Sequence, residues 1–508
     1  MWSRCSASAS NFSKGMLGIL HVVAIAVAGI FALLALATLF AIADGTSDTA
    51  FLMILVAALG AFASFLVLAA IAGFPRRLGR APGYLALVAV WTLTPLAAAA
   101  AFAALTDMPL VDAWFEAVSA LTTSGTSLLS RQTTPLAIIF WRASLEWYGG
   151  FLTLLSIIHV LAPAGFGGLP AGDRRLQTGQ PTDMTVSLEV FRDVLGQYVL
   201  MTAAIAIGLM VAGVEPTIAG MLGMVAIATG GFLPFDGALE DHAGPIAQLV
   251  LALGLGLGTV SVFWRNIIIR APRRFFTDNP ETAIVCLVIF VLSVIYAARL
   301  AAVSGGSLPP GSIGPAVAES ILTATSLVAT SGWETRPGLI ALLPDIAVLM
   351  VVLVGAGIYS TTGGIKIYRV GAMAAHALRD LGMIIYPTSV KSVRFGRFSV
   401  NEESMRAIWA YFVLTLAVIS FSTIGFSLTA TGFDAAASLA IAFFANAGPI
   451  YEAFIPPNFV TEPANDVWPA LAALPPAAKI IAIVTMTLGR LEVLVLFAVL
   501  NVRYWLNR

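Results

Sequence analysis

A chain of 508 residues that is 59% hydrophobic and only 11% charged, with a mean hydropathy of +0.93, is excluded from the water-soluble globular class. Its 27 basic and 27 acidic side chains cancel, so overall charge points to no partner class, and no nucleic-acid partner is expected. Cys5 and Cys286 supply no disulfide or zinc framework, and His21, His159, His242 and His376 are scattered without ligand spacing, which argues against a metal enzyme.

Arg4 and Lys14 precede a first apolar run over about 16–43. That run is longer than the apolar core of a cleaved signal peptide. An uncleaved first span is therefore expected, although Ala41-Ile42-Ala43 resembles a cleavage site. A membrane helix needs about 20 mostly apolar residues. Ten stretches qualify, at roughly 16–43, 49–73, 83–105, 135–162, 187–212, 245–269, 280–303, 339–362, 403–430 and 477–502. Four shorter apolar pieces, near 112–122, 216–228, 315–328 and 434–445, are too short to cross and are candidates for re-entrant segments.

Basic residues set the orientation. Arg76, Arg77 and Arg80 follow the second span, Arg174 and Arg175 the fourth, and Arg270, Arg273 and Arg274 the sixth. Lys366, Arg369, Arg379, Lys391, Arg394 and Arg397 follow the eighth, and Arg503 and Arg508 close the chain. The opposite connections hold chiefly Arg131 and Arg336 among bases. They carry instead Asp44, Asp107, Glu215, Asp236, Glu240, Asp241, Glu334, Asp345, Glu452, Glu462 and Asp466. The expectation is a multi-pass protein with both termini cytoplasmic and the four short pieces all on the outer side, where an acidic rim concentrates cations.

Each short piece ends in a small polar run closed by glycine. The runs are Thr122-Thr123-Ser124-Gly125, Ala228-Thr229-Gly230-Gly231, Ala329-Thr330-Ser331-Gly332 and Ala445-Asn446-Ala447-Gly448, spaced roughly a hundred residues apart. Small residues also let membrane helices pack closely, which explains any one run. Four on the same side, each in the same half-length context, point to a fourfold repeat. Non-helical backbone at membrane depth is tolerated only where it is buried in protein or lines a water-filled cavity. Four such strands around one axis would offer rings of carbonyl oxygens in place of an ion's hydration shell. Asp112, Glu319 and Asp434 lie just over a dozen residues ahead of their glycines, where the positive end of a pore helix is expected.

The predicted fold is an all-α integral membrane protein of ten spans. Two N-terminal helices (1–78) precede four helix–pore loop–helix repeats around a pseudo-fourfold pore, at 79–178, 179–275, 276–398 and 399–508.

With these motifs in place, the sequence resembles the Trk/Ktr/HKT superfamily of potassium transporters, and within it the bacterial Trk-type membrane subunit. The resemblance covers essentially everything after about residue 80. It is carried by Phe115-Glu116-Ala117 leading to Leu121-Thr122-Thr123-Ser124-Gly125, Trp147-Tyr148-Gly149-Gly150 and Gly230-Gly231-Phe232, and further by Ser360-Thr361-Thr362-Gly363-Gly364-Ile365-Lys366, Asn446-Ala447-Gly448-Pro449 and Gly489-Arg490-Leu491-Glu492. It implies a potassium uptake protein with channel-like passage, potassium as the transported ion, no organic cofactor, no enzymatic activity and residence in a bacterial inner membrane. It also implies a homodimer seated on a cytoplasmic, nucleotide-binding regulatory ring of the Trk type. In this family glycine at the first filter position goes with potassium and serine with sodium in some plant members, so Gly125 implies potassium. Trp333 after the third filter glycine and Tyr451-Glu452 after the fourth depart from the usual pattern.

Two further features sit inside spans. Gly355, Gly357, Ser360, Thr361, Thr362, Gly363 and Gly364 interrupt the eighth. A glycine costs about 1 kcal/mol in a helix interior, so a break is expected there. The resemblance implies that it is an intramembrane gating loop; a packing notch or the start of the cytoplasmic loop is the alternative. Arg490, with Glu492, lies in the last span, and an intramembrane charge normally faces a cavity or a partner. The resemblance implies a pore-facing cation; a pair with Glu492 is the alternative. The basic loops, particularly 366–406, are the expected docking surface for the regulatory subunit, and lipid contact explains them equally well.

Gly254-Leu255-Gly256-Leu257-Gly258 has no strand before it, so it reads as a packing surface and not a nucleotide loop. Trp141, Trp147 and Trp264 read as interface or core aromatics, and no serine has a His–acid set in view. The rival function is a secondary carrier of a small solute by alternating access. Such carriers usually carry a twofold repeat with binding groups at mid-membrane, whereas this chain repeats fourfold with its breaks outside.

Overall fold

The computed structural model describes residues 2–73, 80–161, 168, 188–260, 280–304, 310–386, 393–396, 398–429, 431–455 and 468–500. The helices, in chain order, begin with α1 (Trp2–Ala43), α2 (Ser47–Ala70), α3 (Arg80–Thr106), α4 (Leu110–Leu121) and α5 (Leu136–Ser156). Then come α6 (Leu188–Val211), α7 (Pro216–Ile227), α8 (Pro245–Thr259), α9 (Pro280–Val303), α10 (Ile313–Val328), α11 (Asp345–Val354) and α12 (Ile367–Ile385). A short antiparallel hairpin, β1 (Val393–Phe395) with β2 (Phe398–Val400), leads to α13 (Glu402–Ser427), α14 (Phe433–Phe444), α15 (Pro449–Ala453), α16 (Pro476–Leu491) and α17 (Val493–Leu500).

Proline opens many of these helices. It stands at the first helical turn of α7, α8, α15 and α16 and just ahead of α4, α5 and α11, where its fixed φ is pre-set and its missing N–H costs nothing. Asn401 caps α13, its side chain accepting the Ser404 N–H at 2.8 Å.

Among the described residues, 7 helices are long and apolar enough to cross a membrane: α1, α2, α3, α5, α6, α9 and α13. Three of the ten expected spans differ. The one over 245–269 is helical only to Thr259, and 261–269 lies outside the described residues. The one over 339–362 is a short turn followed by α11, which ends at Gly355. The one over 477–502 breaks at Glu492 between α16 and α17. The basic residues Arg76, Arg77, Arg174, Arg175, Arg270, Arg273, Arg274, Lys391, Arg397, Arg503 and Arg508 lie outside the described residues, as do Glu462, Asp466 and Trp264.

Large apolar side chains such as Phe51, Phe62, Phe65, Phe290 and Phe421 are well exposed along the long helices, the condition of side chains that meet hydrocarbon rather than water. The short helices α4, α7, α10 and α14 are buried along most of their length.

Packing between these elements is cyclic. The short helix α4 lies against α3 and α5, α7 against α6 and α8, α10 against α9 and α11, and α14 against α13 and α16. Each set then hands on to the next: α5 packs on α7, α8 on α10, α11 on α14, and α16 returns to α4. Four short helices are thereby held in a closed ring, with α1 outside it against α2, α3 and α5.

Candidate ion filter and gate

The four short helices end in the same turn. Their last carbonyl-bearing residues, Thr122, Ala228, Ala329 and Ala445, keep right-handed dihedrals close to φ −75°. The next residue is left-handed in every case: Thr123 (φ 57°), Thr229 (φ 53°), Thr330 (φ 57°) and Asn446 (φ 54°). The residue after that returns its N–H to a carbonyl five residues back. These bonds are Ser124 to Ser119 (2.9 Å), Gly230 to Val225 (3.0 Å), Ser331 to Ser326 (2.9 Å) and Ala447 to Ala442 (2.8 Å). This is a Schellman ending, normally built on glycine. Here it is built on threonine three times, and a β-branched residue at positive φ is a strained outlier. Neither composition nor hydropathy signals this residue; only the repeated position two before each glycine could have found it.

The strands that follow meet one another. A Cβ on Gly125 would collide with the Gly231 backbone, and one on Gly231 with the Ser331 carbonyl and Pro449. A Cβ on Gly332 would stand 3.0 Å from the Ile450 nitrogen, and one on Gly448 3.0 Å from the Ser124 carbonyl. The strands carrying Gly125, Gly231, Gly332 and Gly448 therefore lie against one another. The symmetry is incomplete: Gly125 and Gly332 have positive φ (84° and 79°), whereas Gly448 is at −55°.

Neighbouring strands hold each other by hydrogen bonds. Gly448 N–H donates to the Ser124 carbonyl (2.8 Å), the Ser331 hydroxyl to the Gly230 carbonyl (2.5 Å) and the Trp333 indole to the Gly231 carbonyl (2.9 Å). The expectation of carbonyls turned wholly toward an axis is thus modified. Three of them already accept one bond, and each keeps a second lone pair for an ion. Trp333, a departure in sequence, is buried and ties the third strand to the second.

Asp112 and Asp434 stand in the first turns of α4 and α14 as expected, and Asp112 is paired with Lys479 at 2.7 Å. Glu319 does not begin its helix. The Pro310–Ser312 turn starts α10 earlier, at Ile313, so Glu319 lies a turn and a half inside and pairs with Arg336 at 3.0 Å. In the outer loop after the third strand, burial pushes the Glu334 carboxyl above its ordinary range, against backbone N–H donors at Ile340 and Gly338 that favour its charge.

The break in the eighth expected span is a buried loop beneath the four strands. Gly355 ends α11 at φ 64°, ψ −152°, a region open essentially to glycine alone. The chain then doubles back, with Ile365 and Lys366 N–H groups donating to the Leu353 and Val354 carbonyls at 2.8 Å. Its tip reaches three of the left-handed residues. Thr361 Oγ1 is 3.0 Å from Thr229 Oγ1, Gly363 N–H donates to Thr330 Oγ1 at 2.9 Å, and Arg490 bridges the remainder. Arg490 donates from Nη1 to the Thr361 carbonyl and from Nη2 to Thr123 Oγ1, both at 2.7 Å. Gly357 and Thr361 N–H groups also donate to Thr259 and Gly258 carbonyls at the end of α8. Ser360 is folded onto the loop itself, its hydroxyl 2.8 Å from that of Thr362. A Cβ on Gly363 would strike the Ala445 carbonyl of the fourth unit. The loop thus touches the second and fourth units and its own strand directly, and reaches the first unit through Arg490.

Glu492 is not the partner of Arg490. It pairs instead with Arg369 at 2.6 Å, while the Arg369 guanidinium lies 3.9 Å over the Tyr411 ring. Two residues apart on a helix face different ways, and here the helix also breaks between them. Arg369 and Lys366, counted in the sequence among basic loop residues, are buried at 0% and 5% exposure, Lys366 folding its ammonium onto Thr362. They belong to the interior and leave the expected docking surface. The amphipathic α12 and the hairpin, which occupy most of that loop, were not expected.

The model of a family described as "Cation transport protein", TrkH, matches residues 265–502. The Trk system potassium uptake protein TrkH of Escherichia coli K12 is 26% identical over 448 residues, 83% of this chain and 86% of that protein. TrkI of Halomonas elongata, also a Trk system potassium uptake protein, is 26% identical over 405 residues, covering 78% of each. The second half of the chain thus matches the TrkH family model, and most of its length is similar to Trk system potassium uptake proteins. The likeness is to membrane transporters and not to enzymes. The crystal structure of the potassium transporter TrkH from Vibrio parahaemolyticus superposes with a TM-score of 0.81 at 20% identity, over 96% of this chain and 99% of that one, so the fold is shared across its whole length.

Proposed function

We propose that this TrkH-like chain takes up potassium across a bacterial cytoplasmic membrane, through a filter of four strands gated by the loop at 355–364. The carrying observation is the ring: four left-handed endings of one kind lead into strands, carrying Gly125, Gly231, Gly332 and Gly448, that lie against one another. In this reading Thr122, Thr123, Ser124 and Gly125, with Ala228, Thr229, Gly230 and Gly231, supply half of the ion-facing backbone. Ala329, Thr330, Ser331 and Gly332, with Ala445, Asn446, Ala447 and Gly448, supply the rest. Short helices aim their negative ends at the ion, and the membrane potential drives entry by about 2.3 kcal/mol per charge per 100 mV. The names of the relatives support potassium as the cargo.

The loop beneath the ring is the gate in its closed position, latched by Arg490, which also places a positive charge in the cation path. In this reading two N-terminal helices (1–78) precede four units, at 79–178, 179–275, 276–398 and 399–508, with ten crossings, some of them broken or short, and both termini cytoplasmic. The working assembly is a homodimer on a cytoplasmic nucleotide-binding ring. Its docking surface is the exposed part of 366–406, without Lys366 and Arg369. The alternating-access carrier is the poorer reading, because four strand endings of one kind meet here, whereas such carriers usually carry a twofold repeat.

Expression of the intact chain, with its cytoplasmic partner, in a bacterium lacking potassium uptake tests this reading. Growth on low potassium is expected. No rescue by protein shown to be in the membrane would overturn it.

A further inference from the structure

Behind the first and second strands lies a buried ionic cluster that neither the filter nor the gate accounts for. Arg142 and Glu146 stand one turn apart on α5, and Glu116 faces them from α4; all three are fully buried. Arg142 Nε is 2.6 Å from Glu116 Oε1 and its Nη1 is 2.5 Å from Glu146 Oε2. Two members serve the first strand. Arg142 Nη2 donates to the Thr126 carbonyl at 3.0 Å, and Glu116 Oε2 accepts the Leu128 N–H at 2.7 Å. The third reaches across the unit boundary. Glu146 Oε1 accepts the Phe232 N–H at 3.4 Å, and Phe232 lies 4.5 Å under the Arg142 guanidinium.

We propose that Glu146 is a specificity-determining positioning residue: its carboxylate, carried by the first unit, sets the direction of the Gly231 carbonyl in the second unit's filter strand. A trans peptide places its N–H and C=O on opposite sides of one plane. Holding the Phe232 N–H toward Glu146 therefore turns the Gly231 carbonyl away from it, toward the third strand, where the Trp333 indole donates to it. The carboxylate also explains Gly230. This glycine is not at positive φ, yet a Cβ there would collide with Glu146 Oε1. Gly230 is glycine because Glu146 lies against it.

The inference rests on the filter reading above. Its test uses the full chain with its partner in the uptake-deficient bacterium, measuring KM and Vmax for potassium, potassium-over-sodium selectivity and the amount of protein in the membrane. In Glu146→Gln, Arg142 claims the amide oxygen and leaves an NH2 group facing the Phe232 N–H donor. The expected result is a KM raised about tenfold and selectivity lowered several-fold, with a smaller change in Vmax and unchanged protein amount. Gly230→Ala displaces the carboxylate while keeping every ionic partner, and the same signature is expected. In a Glu146→Ala background, Gly230→Ala should add no further loss, as coupled neighbours are non-additive. Wild-type KM and selectivity in either variant would overturn the proposal, as would full additivity. A purely structural role would lower protein amount and leave KM and selectivity alone. Should Glu146→Gln fail to reach the membrane, Gly230→Ala decides by the same readouts. Failure of the wild-type chain to take up potassium would instead strike the filter reading. The variants are then decided on purified chain, by whether they lose the difference in thermal stabilisation between potassium and sodium chloride.

Discussion

Arg490 donates a hydrogen bond to the Thr361 carbonyl at 2.7 Å, and its other terminal nitrogen donates to Thr123 Oγ1 at the same distance. One guanidinium on α16 therefore joins the loop of the third unit to the base of the first unit's strand. A loop held this way cannot move away from the first strand unless one of the two bonds breaks, and such a bond to a charged group contributes about 1.5–3 kcal/mol. Arg490→Gln is expected to raise flux at least tenfold, read as initial rubidium uptake per unit of membrane protein. Flux equal to wild type would remove the latch.

The threonine hydroxyls make the remaining contacts between loop and strands. Thr330→Val keeps the shape of the side chain and deletes the acceptor used by the Gly363 N–H, leaving that buried donor unmatched. Uptake is expected to rise several-fold, from a net loss of about 1 kcal/mol in the closed state. Thr229→Val should behave alike through Thr361. A double variant at both sites that transports at the wild-type rate would show that these contacts do not hold the loop.

Deleting part of Gly355–Gly364 should also raise flux if the segment is the gate proposed above. Uptake at the wild-type rate from a shortened chain present in the membrane would deny the loop its gating role.

At Gly125 two effects combine. Its φ of 84° costs a side chain about 1–2 kcal/mol, and a Cβ has no room against Gly231. Gly125→Ser should spread the first two strands and weaken discrimination against sodium, measured as sodium competition with rubidium uptake. Selectivity unchanged from wild type would detach this run from the filter.

The pair Arg369–Glu492 fastens α12 to the break between α16 and α17. Removing one partner of a buried pair costs about 3–5 kcal/mol. Glu492→Ala should therefore lower the melting temperature of the purified protein by several degrees, and the double variant Arg369→Met with Glu492→Leu should recover part of that loss. A melting temperature unchanged by Glu492→Ala would show that the pair is not structural.

Much of this arrangement was legible in the residue order. The runs ending at Gly125, Gly231, Gly332 and Gly448 announced themselves because small polar groups after half-length apolar helices have few uses in a membrane. Gly355, Gly363 and Gly364 announced a break for the same reason. Other features left no local signature. The left-handed conformation of Thr123, Thr229 and Thr330 contradicts threonine's own preference and is imposed by the ring. The burial of Lys366 and Arg369 is decided by Glu492 and Tyr411, residues far along the chain, so the two charges looked like ordinary loop bases. Glu319 misled because carboxylates at similar spacing do begin α4 and α14, while a proline turn lengthens α10. The cluster of Glu116, Arg142 and Glu146 escaped notice because Arg142 and Glu146, a turn apart on one helix, give no hint that Glu146 reaches a different unit.

The central claim is that four strands form a filter which prefers potassium. Rubidium uptake into proteoliposomes containing the purified chain and its partner, under an inside-negative potential, tests it most directly when potassium and sodium are added as competitors. Potassium is expected to suppress rubidium uptake at concentrations at least tenfold below those at which sodium does. Equal suppression by the two ions would contradict the account.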